Sequence, residues 1–118
     1  MPIDVQKALP KIVTLPPVFL DGSLDAISSK SDLHRLIFCA ALSPKPTRIR
    51  YHATLSADIR ATIEVLCALG AEICEEPVDS SGVGMITVKR PLDAETAGRA
   101  ATLDCGESGS TARFILPL

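Results

Sequence analysis

The chain has 118 residues, 47% of them apolar, a formal net charge of -2 and a sequence pI near 5.6. That apolar content supports one globular domain with a core and excludes a disordered chain. The mild acidity argues against a general nucleic-acid binder, yet it leaves room for a local basic pocket around a small anion.

In chain order, "KIVTL" (residues 11–15) is a short β-prone run stopped by Pro16 and Pro17, and "VFL" resumes it. Asp21-Gly22 predicts a tight turn into "SLDAI", a further short strand. From Ser29 the period becomes helical. Leu33, Leu36, Ile37, Ala40 and Ala41 form one apolar stripe, ended by Pro44 and Pro46. In "TRIRYHATL", Ile49, Tyr51 and Ala53 alternate with Arg48, Arg50 and His52, as on a strand with one buried face. A second helix is predicted over 57–69, with Ile59, Ile63, Leu66 and Cys67 on one face and Gly70 after its end. Asp58 sits in its first turn, where a negative charge complements the helix dipole.

"AEIC" and "GMITVKR" predict two strands separated by the polar loop "EEPVDSSGV". "PLDAETAGRA" is ambiguous, and "TLDC" reads as one more strand before Gly106. From residue 23 the order is strand, helix, strand, helix, strand, strand. Helices crossing between strands predict an α/β (α+β) fold, a βαβαββ unit with helices packed on a mixed sheet. The sequence stops at Leu118 about two turns into a new amphipathic helix, which reads as a piece of a longer protein.

The cysteines at 39, 67, 74 and 105 form no CxxC pair and have no histidine at metal-ligand spacing. They read as reduced thiols, with Cys39 and Cys67 as small buried hydrophobes in their helices. No metal site is expected. The N-terminal "MPIDVQKALPKIV" lacks a signal peptide's apolar core, and no run is long enough to span a membrane. A soluble, cytoplasmic protein without membrane or nucleic-acid partners is the expectation.

Two stretches carry chemistry. In "SSKSDLHR" a helix opens with hydroxyls, Lys30 and Arg35 at the end where cations are least favoured. Ser31 lies over Arg35 and Lys30 over His34, four residues apart. Backbone N–H groups, hydroxyls, an ammonium and a guanidinium would converge there, as in an anion site; ordinary serine capping is the competing explanation. A Walker P-loop is excluded, because Leu24 and Ser29 occupy the places of its glycines. "CGESGSTAR" repeats the logic, with Gly106 and Gly109 permitting a turn, hydroxyls at Ser108, Ser110 and Thr111, and then Arg113. His34 and His52 stand apart from any cysteine or carboxylate pattern, so neither predicts metal or serine–histidine chemistry. Glu107 reads as a turn acid or as an orienter of a substrate hydroxyl.

The three stretches "LDGSLDAISSKSDLHR", "LSADIRATIEVLCALGAEI" and "LDCGESGSTARFILPL" together resemble the amino-terminal part of the 5-enolpyruvylshikimate-3-phosphate synthase family. The resemblance implies transfer of the enolpyruvyl group of phosphoenolpyruvate to the 5-hydroxyl of shikimate 3-phosphate, with release of phosphate and no cofactor. It implies a two-lobed fold of repeated βαβαββ units, monomeric in the full enzyme. Residues 1–22 would be strands of the other lobe, 23–104 one unit, and 105–118 the start of the next. By motif position, Lys30 would be catalytic and contact both substrates. Ser31 and Arg35 would bind shikimate 3-phosphate, while Gly109, Ser110 and Arg113 would serve phosphoenolpyruvate. The family's usual proline before the lysine motif is replaced by Ile27-Ser28, its frequent asparagine by Glu107, and a frequent acid by Ala57. The isolated chain is expected to be inactive, since the second lobe supplies acid–base groups. Two rivals remain: a UDP-N-acetylglucosamine enolpyruvyl transferase, which usually has Lys-Asn where this chain has Lys30-Ser31, and a non-catalytic βαβαββ RNA-binding module. The acidic pI and the absence of a GXXG clamp weigh against the latter.

Overall fold

A computed structural model of the chain describes residues 12–14, 16–24, 26–93 and 100–118. Among them are three helices and three strands: α1 (Lys30–Leu42), β1 (Thr47–His52), α2 (Ala57–Ala68), β2 (Glu72–Glu76), β3 (Val83–Arg90) and α3 (Gly109–Ile115).

Local signals set most of these bounds. Ser29, Ser56 and Ser108 each cap the following helix through a side-chain oxygen that accepts a backbone N–H. At the end of α2, Ala71 N–H donates to Leu66 O and Gly70 N–H to Cys67 O, with Gly70 at φ 109. This is a Schellman close, which needs the left-handed backbone that glycine adopts without strain. β1 stops at His52 because Ala53 takes φ 66, so the predicted continuation through Ala53 is not formed.

The sheet runs β1-β3-β2, and both pairings are antiparallel. This corrects the expected mixed sheet. β3 follows β2 through a short turn and inserts between β2 and β1, so the two strands joined by a crossover helix never become neighbours. Asp79 organises that turn, its carboxylate accepting from the Ser81 and Val83 amides at 2.8 and 3.1 Å. "SLDAI" and "TLDC" are not strands where they are described, because among the described residues no strand lies beside them to accept their hydrogen bonds. Residues 12–14 and 16–20 likewise have no regular structure, and the rest of "KIVTL" and most of "PLDAETAGRA" lie outside the described residues.

One face of the sheet carries Ile49, Tyr51, Gly84, Ile86 and Val88, all buried, and the helices cover it. The opposite face of β1 exposes Arg48 and Arg50. A Cβ added at Gly84 would overlap the ring of Tyr51, its partner across the β1–β3 ladder, so glycine is what lets the tyrosine lie flat there. α1 contributes Leu33, Ile37, Phe38, Ala40 and Ala41 to the core, and α2 contributes Ile59, Val65 and Leu66. Each such large side chain stabilises the fold by roughly 1.5–3 kcal/mol. Leu36 is 52% exposed and Cys39 and Cys67 are also exposed, contrary to expectation. The buried face of α1 is rotated toward His34 and Phe38, and Thr62 and Val65 take the inner positions on α2.

Candidate functional site

The site is built from three helix starts. Ser29 caps α1 by accepting the Asp32 amide at 3.3 Å, and Ser28 Oγ accepts the His52 amide at 2.8 Å. The second bond fixes the approach to α1 against the end of β1. Lys30, the first residue of α1, then reaches the first turn of α2, where its ammonium donates to Asp58 Oδ2 at 2.6 Å. That hydrogen bond is the main reason the Asp58 carboxyl is held below its ordinary value, with partial desolvation opposing it. Beside Lys30 lies a cavity of about 280 Å³ lined by Ile27, Ser28, Leu33, Tyr51 and Ser56 among others.

Arg35 lies one turn further along α1 and, among the described residues, meets Asp32 at 3.5 Å, with both side chains more than 60% exposed. A pair so exposed contributes little, which leaves the guanidinium available to an anion. Ser31 is also exposed. All three residues therefore occupy the solvent-facing start of one helix.

The second motif forms its turn as expected. Gly106 sits at φ 53 and donates its N–H to the Asp104 carboxylate at 2.8 Å. Ser108 then caps α3, accepting the Thr111 amide at 3.2 Å. Gly109, Ser110 and Arg113 are exposed on α3, and a Cβ at Gly109 would meet nothing within 4 Å.

What joins the two motifs lies between them. His34 Nδ1 is 2.8 Å from Thr62 Oγ1, Thr62 Oγ1 is 2.7 Å from Thr111 Oγ1, and Thr111 Oγ1 donates to Ser108 Oγ at 2.6 Å. All four residues are buried. Thr111 Oγ1 also lies 3.5 Å from the Asp58 carbonyl. Asp58 thus faces Lys30 with its side chain and Thr111 with its backbone, which brings the first turns of α1, α2 and α3 to one place. Burial holds the His34 imidazole below its ordinary pKa, the Asp58 charge opposing this and Lys30 adding to it.

By sequence pattern, Asp58 is a dipole residue and His34 stands isolated. The available signal was a polar residue on an apolar stripe: His34 beside Leu33 and Ile37, and Thr62 between Ile59 and Leu66. Among the described residues no group of three or more His, Cys, Asp or Glu is placed to hold a metal ion, and no helix is long and apolar enough to cross a membrane.

The family model described as EPSP synthase (3-phosphoshikimate 1-carboxyvinyltransferase) matches residues 16–118. The chain belongs to the EPSP synthase family. Among curated proteins it is 40% identical over 105 residues to the 3-phosphoshikimate 1-carboxyvinyltransferase of Clostridium beijerinckii, covering 86% of this chain and 23% of that protein. The protein of the same name from Clostridium acetobutylicum is 38% identical, with 90% of this chain and 23% of that protein covered. That of Clostridioides difficile is 36% identical, with 86% and 24% covered. The chain therefore spans about a quarter of the length of these EPSP synthase relatives. No solved structure matches it. Neither the UDP-sugar transferase reading nor the RNA-binding reading is favoured by these relatives.

Proposed function

We propose that this chain supplies part of the anion-binding surface of a 3-phosphoshikimate 1-carboxyvinyltransferase. The whole protein would transfer the enolpyruvyl group of phosphoenolpyruvate to the 5-hydroxyl of shikimate 3-phosphate and release phosphate. The observation that carries the proposal is the meeting of the two family motifs on α2, where Asp58 faces Lys30 with its side chain and Thr111 with its backbone. An anionic ligand would draw the Lys30 ammonium from Asp58. Ser31 and Arg35 would hold shikimate 3-phosphate, and Gly109, Ser110 and Arg113 would face phosphoenolpyruvate. Lys30 would contact both substrates and stabilise charge developing at the reacting centre.

In this reading residues 1–22 belong to the other lobe of a two-lobed fold, 23–104 form the first unit, and 105–118 open the next. The whole enzyme is a cytoplasmic monomer, and the 118-residue chain binds shikimate 3-phosphate without turning over. Titration with shikimate 3-phosphate, followed through amide shifts, tests this. Lys30, Ser31 and Arg35 are expected to move together, and unmoved amides at saturating ligand would refute the assignment.

A further inference from the structure

The buried chain His34–Thr62–Thr111–Ser108 has a direction. The Thr111 hydroxyl hydrogen is given to Ser108 Oγ, so the hydrogen between the threonines must come from Thr62. With that hydrogen used, the bond between His34 Nδ1 and Thr62 Oγ1 has the imidazole as donor. His34 is thereby the Nδ1–H tautomer, and its Nε2, which has no partner among the described residues, is an unprotonated acceptor. An orphaned acceptor is easier to bury than an orphaned N–H.

Packing does not require these hydroxyls. Apolar side chains of similar shape would hold α3 against α2 about as well, because paired buried polar groups give little net stability. What the hydroxyls add is a fixed rotation of α3 about its axis, since a hydrogen bond has an angle and an apolar contact does not. Asp58 and Thr62 are four residues apart on α2 and so share a face. One meets Lys30 and the other meets Thr111.

We propose that Thr62 and Thr111 are positioning residues, coupling the Lys30–Ser31–Arg35 half of the anion site to the Gly109–Ser110–Arg113 half through this chain. Filling the first half then sets the geometry of the second before its own ligand arrives. The inference rests on the functional reading above.

The test is the amide spectrum of the 118-residue chain with shikimate 3-phosphate, in the native form and in Thr62→Val, Thr62→Ser and Thr111→Val. In the native chain two sets of amides move with one midpoint: Lys30, Ser31 and Arg35, and separately Ser108 through Thr111. Thr62→Val and Thr111→Val keep the first set, with a midpoint within about twofold, and lose the second. Thr62→Ser restores the second. A second set that persists in both valine variants, or never appears in the native chain, would overturn the coupling. So would loss of both sets in the valine variants without rescue by serine, which marks a merely structural role. Absence of the first set in the native chain is a different failure, that of the functional reading. The nitrogen shifts of the His34 imidazole add a check that needs no ligand: Nδ1 protonated and Nε2 bare supports the chain, and the reverse tautomer contradicts it.

Discussion

The two motif-bearing helix starts are held in place by different physics. α1 is 13 residues long and buries six of them, so its position follows from the core. α3 is seven residues long and buries only Thr111, with Phe114 half-buried against Phe38 at a ring separation of 5.5 Å. One half of the site is fixed by a large apolar area, and the other by the half-buried Phe114 and Ile115, with the hydroxyl bonds setting its rotation. The same kind of mutation should therefore act globally in α1 and locally in α3.

The largest expected effect breaks that contrast from the α1 side. Ile37 is fully buried, and Ile37→Ala should cost about 2–5 kcal/mol through lost transfer energy and a residual cavity. The whole chain should then unfold at lower denaturant, with every amide losing protection together. Phe114→Ala should instead release α3 alone, lowering protection at 109–115 while α1 and α2 keep theirs. Hydrogen exchange separates the two outcomes, and a global loss in Phe114→Ala would show that α3 is not held separately.

Next in size is Lys30→Met. The Lys30–Asp58 pair is partly exposed, so its loss should leave the denaturation midpoint nearly unchanged. A charge-assisted hydrogen bond to a phosphate is worth about 1.5–3 kcal/mol, so shikimate 3-phosphate should bind about 10–100-fold more weakly. Calorimetric titration gives the affinity, and an unchanged affinity would remove Lys30 from the site.

The difference between the halves also explains what could be read before the structure. α1 and α2 announce themselves through a 3.6-residue stripe, a serine cap and, for α2, Gly70, all of which are local. β1 and β3 do so through alternation. Strands at "SLDAI" and "TLDC" fail because strand formation needs a neighbour, and no local pattern records whether one is present. The same holds for the insertion of β3 between β1 and β2, which made the sheet antiparallel. Lys30, Ser31 and Arg35 stand out as charges and hydroxyls at an unfavourable helix end. The link between the motifs is hidden because His34, Thr62 and Thr111 are separated by 28 and 49 residues. Only their intrusion on apolar faces hints that they are paired.

A smaller effect sharpens the comparison through pH. The His34 pKa is lowered by burial from its ordinary value of 6.5, so the unfolded chain takes up its proton before the folded chain does. Stability should fall as pH drops below about 6.5, and the loss should end near the folded pKa. Asp58 acts in a lower window. Its pKa is depressed from 3.8, so its contribution is present above that value and is lost as pH falls through the folded pKa. His34→Gln should flatten the upper window and leave the lower one in place. Denaturation midpoints measured from pH 7 down to pH 3 test both windows, and an unchanged upper slope in the variant would place its origin elsewhere.

The smallest effect on stability belongs to Gly109→Ala. Gly106 needs its glycine for the left-handed turn, but Gly109 has no positive φ and a Cβ there meets only open space. Alanine at the first position of α3 should be neutral or stabilise by up to about 0.5–1 kcal/mol through the unfolded state. If the open space is where phosphoenolpyruvate approaches the backbone, the added methyl should weaken that ligand while the denaturation midpoint holds or rises. Binding of shikimate 3-phosphate, which the proposal assigns to α1, should be unaffected. A drop in stability with no change in ligand binding would mean that the glycine serves the fold. The opposite pattern would mean that the exposed start of α3 is kept bare for a ligand, because nothing in the packing asks for it.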